Sequence, residues 1–540
     1  MSAVSRLALV LLSVTSFAGS ADEDPGARIA QQGTPKGVAP CLTCHGADGG
    51  GLAPTAYPRL TGLDVGYLVK QLKDLRSGRR THPVMSAMAA PLSDAEIQAV
   101  AAYYARLPVP FPQAEAPQGE VAKTAEDLVQ WGDWTHRGLP GCRQCHGSAG
   151  NGVGPHFPGL AAQQASYLKA QLQAFRSGAR GNDPQGLMRT LAAKLTDPEI
   201  AALADYYAAQ PGAAPTPARN AWAPPNTAGV GVEVLAKPVP DHGAPPEGRA
   251  PGEAGYFEPP GRDAFPPGPF GEAVRRGQEI FRNTNVDPVS ARYVGNDQAC
   301  GNCHIDAGRL AESSPLWAAW VAYPAYRSNT KKVDTFVERV QGCFKYSMNA
   351  QASQAGGAPS ADSETIVDLT AYSFWLAQGA PTGDQHMPGR GLPRLAETPE
   401  GFDPRRGEKV YAANCAIYHG EDGAGVATAD GTLFPPLWGA GSYNWGAGMH
   451  AVDAAAAFVK HNMPLGLGGS LSDQDAWDVA AYINSHERPQ DPRFTGDLAE
   501  TAKQFHASKF SLYGKAKGPD GDLLGTRPSQ AQPRASVAAP

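Results

Sequence analysis

The stretches "CLTCHGADGGGLAP" (Cys41–Pro54) and "CRQCHGSAGNGVGP" (Cys142–Pro155) decide the fold. Each opens on Cys-x-x-Cys-His, the attachment pattern of c-type haem. Two thioethers fix the porphyrin edge, and the next residue's imidazole ligates the iron. A third copy is Cys300-Gly-Asn-Cys303-His304. A single copy would also suit a redox dithiol or half a zinc site, but three copies, each with its histidine, point to haem c. A fourth, Cys415-Ala-Ile-Tyr418-His419, has tyrosine in place of the second cysteine.

Outward from the first two motifs the flanks also repeat. Both continue into an S/T-x-x-E capping signal and an aromatic helix: Ser93 to Glu96 before Tyr103-Tyr104, and Thr196 to Glu199 before Tyr206-Tyr207. Later, "RRGQEIFRNT" (Arg275–Thr284) precedes the third motif and "RRGEKVYAAN" (Arg405–Asn414) runs into the altered one, whose unit closes with Ser472 to Asp475 capping a helix. Cys415 and His419 thus hold the haem position of a complete repeat. The reading is all-α: four tandem class I cytochrome c-like domains arranged as two dihaem pairs. Residues 22–112 and 113–212 form the first pair, and 265–393 and 394–514 the second. A Pro/Gly-rich linker, 213–264, joins the pairs, and 515–540 is expected as a disordered tail.

Length and charge fit this organisation. The 540 residues exceed one core, and 62 Gly and 49 Pro suit short helices joined by irregular backbone. A net charge of −6 gives no support to a nucleic-acid partner. Arg6, the apolar run Leu7–Ala18 and the small residues Gly19-Ser20-Ala21 have the order of a secretory signal peptide, residues 1–21. No later segment is long and apolar enough to span a membrane. A periplasmic protein is expected.

Each iron needs a ligand opposite its histidine. Aligning the first two units sets Met85 against Met188, 40 and 42 residues after His45 and His146, with Met88 the rival of Met85. The fourth unit offers Met463, 44 residues after His419, with Met449 its rival. In the third, Cys343 stands 39 residues after His304, near the position of the other ligands. The alternative is a disulfide between Cys343 and Cys415. A thiolate ligand stabilises ferric iron and lowers its potential. Arg327, Lys331, Lys332, Arg339 and Lys345 lie within sixteen residues of Cys343. Lysines there suit a solvated helix face, whereas Arg327 and Arg339 suit oxygens of a small sulfur-containing anion. The cysteine sulfur can leave iron and take part in exchange at sulfur.

Residues Phe265 to about Gly514 resemble the dihaem thiosulfate dehydrogenase family. The likeness rests on "YVGNDQACGNCHIDAGR", "GCFKYSMNA", "LFPPLWGAGSYNWGAGMH", "FVKHNMPLG" and "AWDVAAYINSHERPQDPRF". In that family two thiosulfates are joined to tetrathionate with release of two electrons, and some members favour the reverse. The resemblance implies Cys343 as the ligand of the active-site haem, Ser347 with Arg327, Arg339 and Lys345 around the substrate, and Met463 on the second haem. Asn462 stands where some members have an alternating lysine, so plain His/Met ligation is expected. Residues 25–212 resemble the two-domain dihaem cytochromes c that serve this family as acceptors. The chain reads as an acceptor fused in front of its enzyme, passing electrons on to a small soluble redox protein. Four copies of haem c are expected. Three are held by cysteine pairs (Cys41 and Cys44, Cys142 and Cys145, Cys300 and Cys303), the fourth by Cys415 alone. Tyr346, where the family commonly has a basic residue, and Tyr418 depart from the pattern. Two other functions fit less of the sequence: a non-catalytic tetrahaem carrier, which gives Cys343 no purpose, and a haem enzyme that conjugates thiosulfate to a carrier protein.

Overall fold

In the computed structural model of the protein, residues 24–112, 114–213, 255–327, 330–384, 386–428 and 431–530 are described. The expected signal peptide and most of the linker lie outside them. Each unit is framed by its first and last long helices, packed across one another. The pairs are Pro25–Gln32 with Asp94–Arg106, Gly119–Gln130 with Asp197–Ala209, Gly268–Asn283 with Glu364–Leu376, and Pro404–Asn414 with Asp473–Asn484. Three crossings need glycine. A Cβ at Gly26, Gly277 or Gly407 would collide with the backbone oxygen of Ala99, Asp368 or Asp478.

The repeated "RRG" has a second use. Arg276 Nε donates to Asp368 Oδ2 at 2.8 Å, and Arg406 Nε to Asp478 Oδ2 at 2.7 Å, on carboxylates that are almost fully buried. The same arginine, glycine and aspartate thus tie the framing helices of both back units. The capping signals form as expected: Ser93 with Glu96 and Thr196 with Glu199 make reciprocal capping boxes, and Ser472 accepts from Asp475 N. Strand structure among the described residues is confined to three two-stranded antiparallel ribbons and isolated bridges.

The third unit departs most from the others. After its histidine the backbone turns left-handed at Asp306 (φ 58°) and Ala307 (φ 52°). It also carries the ribbon of Ala325–Arg327 with Lys332–Asp334. The described end of the linker packs on this unit: Phe257 lies 5.4 Å from the Trp317 ring, and Arg262 pairs with Asp306. The ring of Trp131, from the second unit, meets two guanidiniums, Arg282 at 4.1 Å and Arg262 at 4.9 Å, which ties the front pair to the back pair.

The expected disordered tail is corrected for residues 515–530. Leu524 is fully buried, Gly514 N donates to Leu524 O at 2.8 Å, and Ser529 N donates to Arg488 O at 3.2 Å. One apolar side chain in a fitted socket outweighed the Pro/Gly-rich composition. Residues 531–540 lie outside the described range.

Candidate active site

Each haem motif is a tight turn, and one hydrogen bond orients its histidine. The Nδ1 atoms of His45, His146, His304 and His419 lie 2.9, 2.8, 2.7 and 2.7 Å from the carbonyl oxygens of Pro58, Pro158, Ser314 and Pro435. A carbonyl only accepts, so Nδ1 carries the proton and Nε2 keeps its lone pair, the tautomer that binds iron. Burial lowers all four imidazoles below their ordinary value, His419 to about 4, so the rings are neutral. The altered fourth motif holds its histidine on a carbonyl as the intact three do, and its helical turn matches those of the first two.

The cavities fit haem c. The two front units share a cavity of about 640 Å³, against about 240 and 260 Å³ for the third and fourth, as expected of two haem sites run together. Its lining includes Cys41 and Cys44 with His45, Cys142 and Cys145 with His146, and the methionines Met85, Met88 and Met188. Cys41 and Cys44 are half-buried and not joined in a disulfide, and the same holds for Cys300 and Cys303 in the third motif. Burial pushes the Cys41 thiol up to about 11, whereas Cys44 opens onto the same cavity one helical turn further on. Met88 also packs with Val38, Leu92 and Ile97. The fourth cavity brings together Cys415, His419 and Met463; Met449 lines it too, but also lines the third. Cys343 lines the third cavity with Cys300, Cys303 and His304. Cys343 and Cys415 line different cavities and form no disulfide.

Helix Phe336–Tyr346, started by a capping box of Thr335 and Glu338, builds the rest of the third site. Arg339 and Cys343 are four residues apart on it, and Ser347 follows four residues later at its C-cap. That spacing sets them on one face, and all three line the cavity. The charge of the Cys343 sulfur raises the Arg339 guanidinium above its ordinary value, with burial opposing it. Arg327 and Lys345 are not among the lining residues. Arg327 donates to the hydroxyl of Tyr323, itself a lining residue, and Lys345 Nζ sits 5.4 Å over the Tyr346 ring. The sequence reading missed Arg390, which lines the same cavity from a segment 47 residues beyond Cys343. No local pattern marks it. The third and fourth cavities share Gln298, Cys303, Tyr443 and Met449 in their linings. Ile417 lines the front cavity while its neighbour Tyr418 lines the fourth.

Among known proteins, residues 26–103 and 402–483 match the family described as cytochrome c oxidase, cbb3-type, subunit III, and residues 140–208 match cytochrome c. A thiosulfate dehydrogenase of Stutzerimonas stutzeri (strain A1501) is 51% identical over 280 residues, 52% of this chain and 87% of the relative. A thiosulfate dehydrogenase electron acceptor of the same organism is 46% identical over 208 residues, 37% of this chain and 91% of the relative. A solved structure of thiosulfate dehydrogenase (TsdBA) from Marichromatium purpuratum, in its "as isolated" form, superposes with a TM-score of 0.82 at 48% identity. It covers 94% of this chain and 99% of its own.

Proposed function

We propose a function from the premise that the chain belongs to the thiosulfate dehydrogenase family and carries the family's electron acceptor in the same polypeptide. It is a multihaem enzyme that oxidises thiosulfate: two anions are joined through a new sulfur–sulfur bond to tetrathionate, and two electrons are released. The single observation that carries the residue assignment is the third cavity, where Arg339, Cys343 and Ser347 stand on one helix face beside His304.

Haem c, when bound, supplies the one-electron acceptors. Three copies would be held by cysteine pairs and a fourth by Cys415 alone, with Met85, Met188 and Met463 as the second ligands of three irons and Cys343 as that of the other. The remaining work belongs to the chain. The Arg339 fork and Arg390 balance the charge of a small dianion, and an arginine fork suits its paired oxygens. The Ser347 hydroxyl donates to the same anion. Arg327 acts through Tyr323, and Lys345 is peripheral. Bound to iron, Cys343 would be a thiolate beside Arg339, so the substrate's charge and the ligand's charge would meet one common cation. Thiolate against thioether ligation makes the third site the low-potential end. The cavities adjoin in the order third, fourth, second, first, so haems held there would stand in line between the substrate and a soluble redox protein. No helix among the described residues is long and apolar enough to cross a membrane. Export to the periplasm accords with the first 21 residues.

The test is anaerobic addition of thiosulfate alone to the oxidised protein. Haem reduction with one tetrathionate released per two thiosulfates consumed is expected. Reduction without tetrathionate, or with sulfur transferred to a protein, would contradict the assignment.

A further inference from the structure

Tyr418 occupies the place of a haem-attaching cysteine, yet it is held in part by another unit. Its ring centroid lies 5.5 Å from those of Phe157 in the second unit and Phe434 in the fourth. Cys145 and Leu187 of the second unit and Val426 and Leu467 of the fourth join the apolar cluster around it, and Tyr418 is 4% exposed. Its hydroxyl donates to Gln185 Oε1 at 3.3 Å. The other end of the same amide reaches back: Gln185 Nε2 donates at 3.0 Å to the oxygen of Ala413, in the helix that leads into Cys415. Gln185 therefore grips the fourth motif from both sides. Its backbone is left-handed (φ 57°), a conformation that non-glycine residues keep only where surrounding contacts fix it.

An intact motif secures its haem within one unit through two covalent bonds. Here the second bond is replaced by a buried side chain whose hydrogen-bond partner, and part of whose apolar surroundings, belong to a different unit. We propose that the docked second unit completes the fourth haem site of this chain, with Gln185 and Tyr418 forming a clamp that closes the motif where the second thioether is missing. This rests on the reading that Cys415 alone anchors the fourth haem. Local opening of the fourth motif is then coupled to docking of the front pair, a dependence that a two-cysteine motif lacks. The second unit serves as a structural partner of the fourth as well as its neighbour in the electron route.

The experiment uses the full, exported holoprotein and begins with the intact mass of the denatured parent. Four covalent haems support the Cys415 reading; three overturn it and the clamp with it. Hydrogen–deuterium exchange over 404–420 and 458–466 is then compared in the parent, Tyr418→Phe and Gln185→Asn. Asparagine tolerates the left-handed backbone but is too short to span both contacts. The clamp predicts exchange faster by about fivefold in both variants, the effect of one net hydrogen bond. In the Tyr418→Cys background it predicts a smaller response to Gln185→Asn, since only the contact to Ala413 is then left to lose. With four haems in the parent, unchanged exchange in Gln185→Asn, or an equal response in the Tyr418→Cys background, overturns the clamp alone.

Discussion

At the residue scale, two arginines that look alike in the sequence have different surroundings. Arg339 lines the third cavity and its guanidinium responds to the Cys343 sulfur, whereas Arg327 is engaged by Tyr323 and lies 4.0 Å from Asp334. Arg339→Gln is expected to lower kcat/KM for thiosulfate by about 10- to 100-fold, the loss of one charge-assisted hydrogen bond of ~1.5–3 kcal/mol. Arg327→Gln is expected to change it by no more than about threefold, since it reaches the site only through Tyr323. Steady-state kinetics on both variants check this, and a reversed ranking contradicts the assigned roles. The distinction was half legible. The four-residue spacing of Arg339, Cys343 and Ser347 puts them on one helix face, and Lys345 falls off that face by the same rule. Arg327 and Arg390 depend on how a ribbon and a distant segment fold back, which spacing along the chain does not encode.

At the element scale, the segment after the fourth unit's last framing helix is locked on by a buried ionic cluster. Asp491 accepts from His506 Nε2 at 2.9 Å and from Arg493 Nη2 at 2.7 Å, and neither His506 nor Asp491 has an exposed side chain. Burial pushes the Asp491 carboxyl up, but hydrogen bonds from His506 and Arg493 outweigh it and hold it well below the usual carboxylate range. The folded state therefore binds this proton less readily than the unfolded state, whose aspartate titrates near about 3.9. The resulting stability is fully present above that value and is lost as pH falls below it toward the depressed folded value. Melting curves are expected to show Asp491→Asn less stable than the parent at neutral pH, with a smaller further loss on acidification below about pH 4. A parallel decline in both proteins would contradict the coupling.

The chain beyond residue 515 belongs to the same scale. Leu524 is fully buried within the cluster that includes Trp445, Val452, Trp477 and Tyr513. Leu524→Ala is expected to destabilise the fourth unit by about 2–5 kcal/mol, read as a lowered denaturation midpoint. No change would mean that the segment is not docked in solution. The closing helices themselves were readable because their signals are local: a capping residue, its acidic partner three positions on and the aromatic residues that follow. The docked tail was not, because a single Leu-Leu step in polar, Gly-rich sequence gains its meaning only from a socket built by residues far upstream.

At the scale of the whole molecule, the cavities of the four units form a connected series: the third and fourth share lining residues, and the fourth adjoins the single cavity of the front pair. Gln298 and Cys303 stand between the third and fourth cavities, and Ile417 and Tyr418 between the fourth and the front cavity. The repeats and the two dihaem pairs were visible in the sequence as four spaced motifs. The docking of the pairs was not, since it rests on contacts such as Trp131 against Arg282 and Tyr418 against Phe157 that join positions more than a hundred residues apart. The central claim is that turnover originates at Cys343 and that the remaining sites only carry electrons away. The most direct test is tetrathionate formation by full-length Cys343→Gly alongside the parent, with haem spectra recorded on both. The account predicts loss of turnover in the variant while the bands of the His/Met sites at Met85 and Met188 stay as in the parent; retained turnover would contradict it.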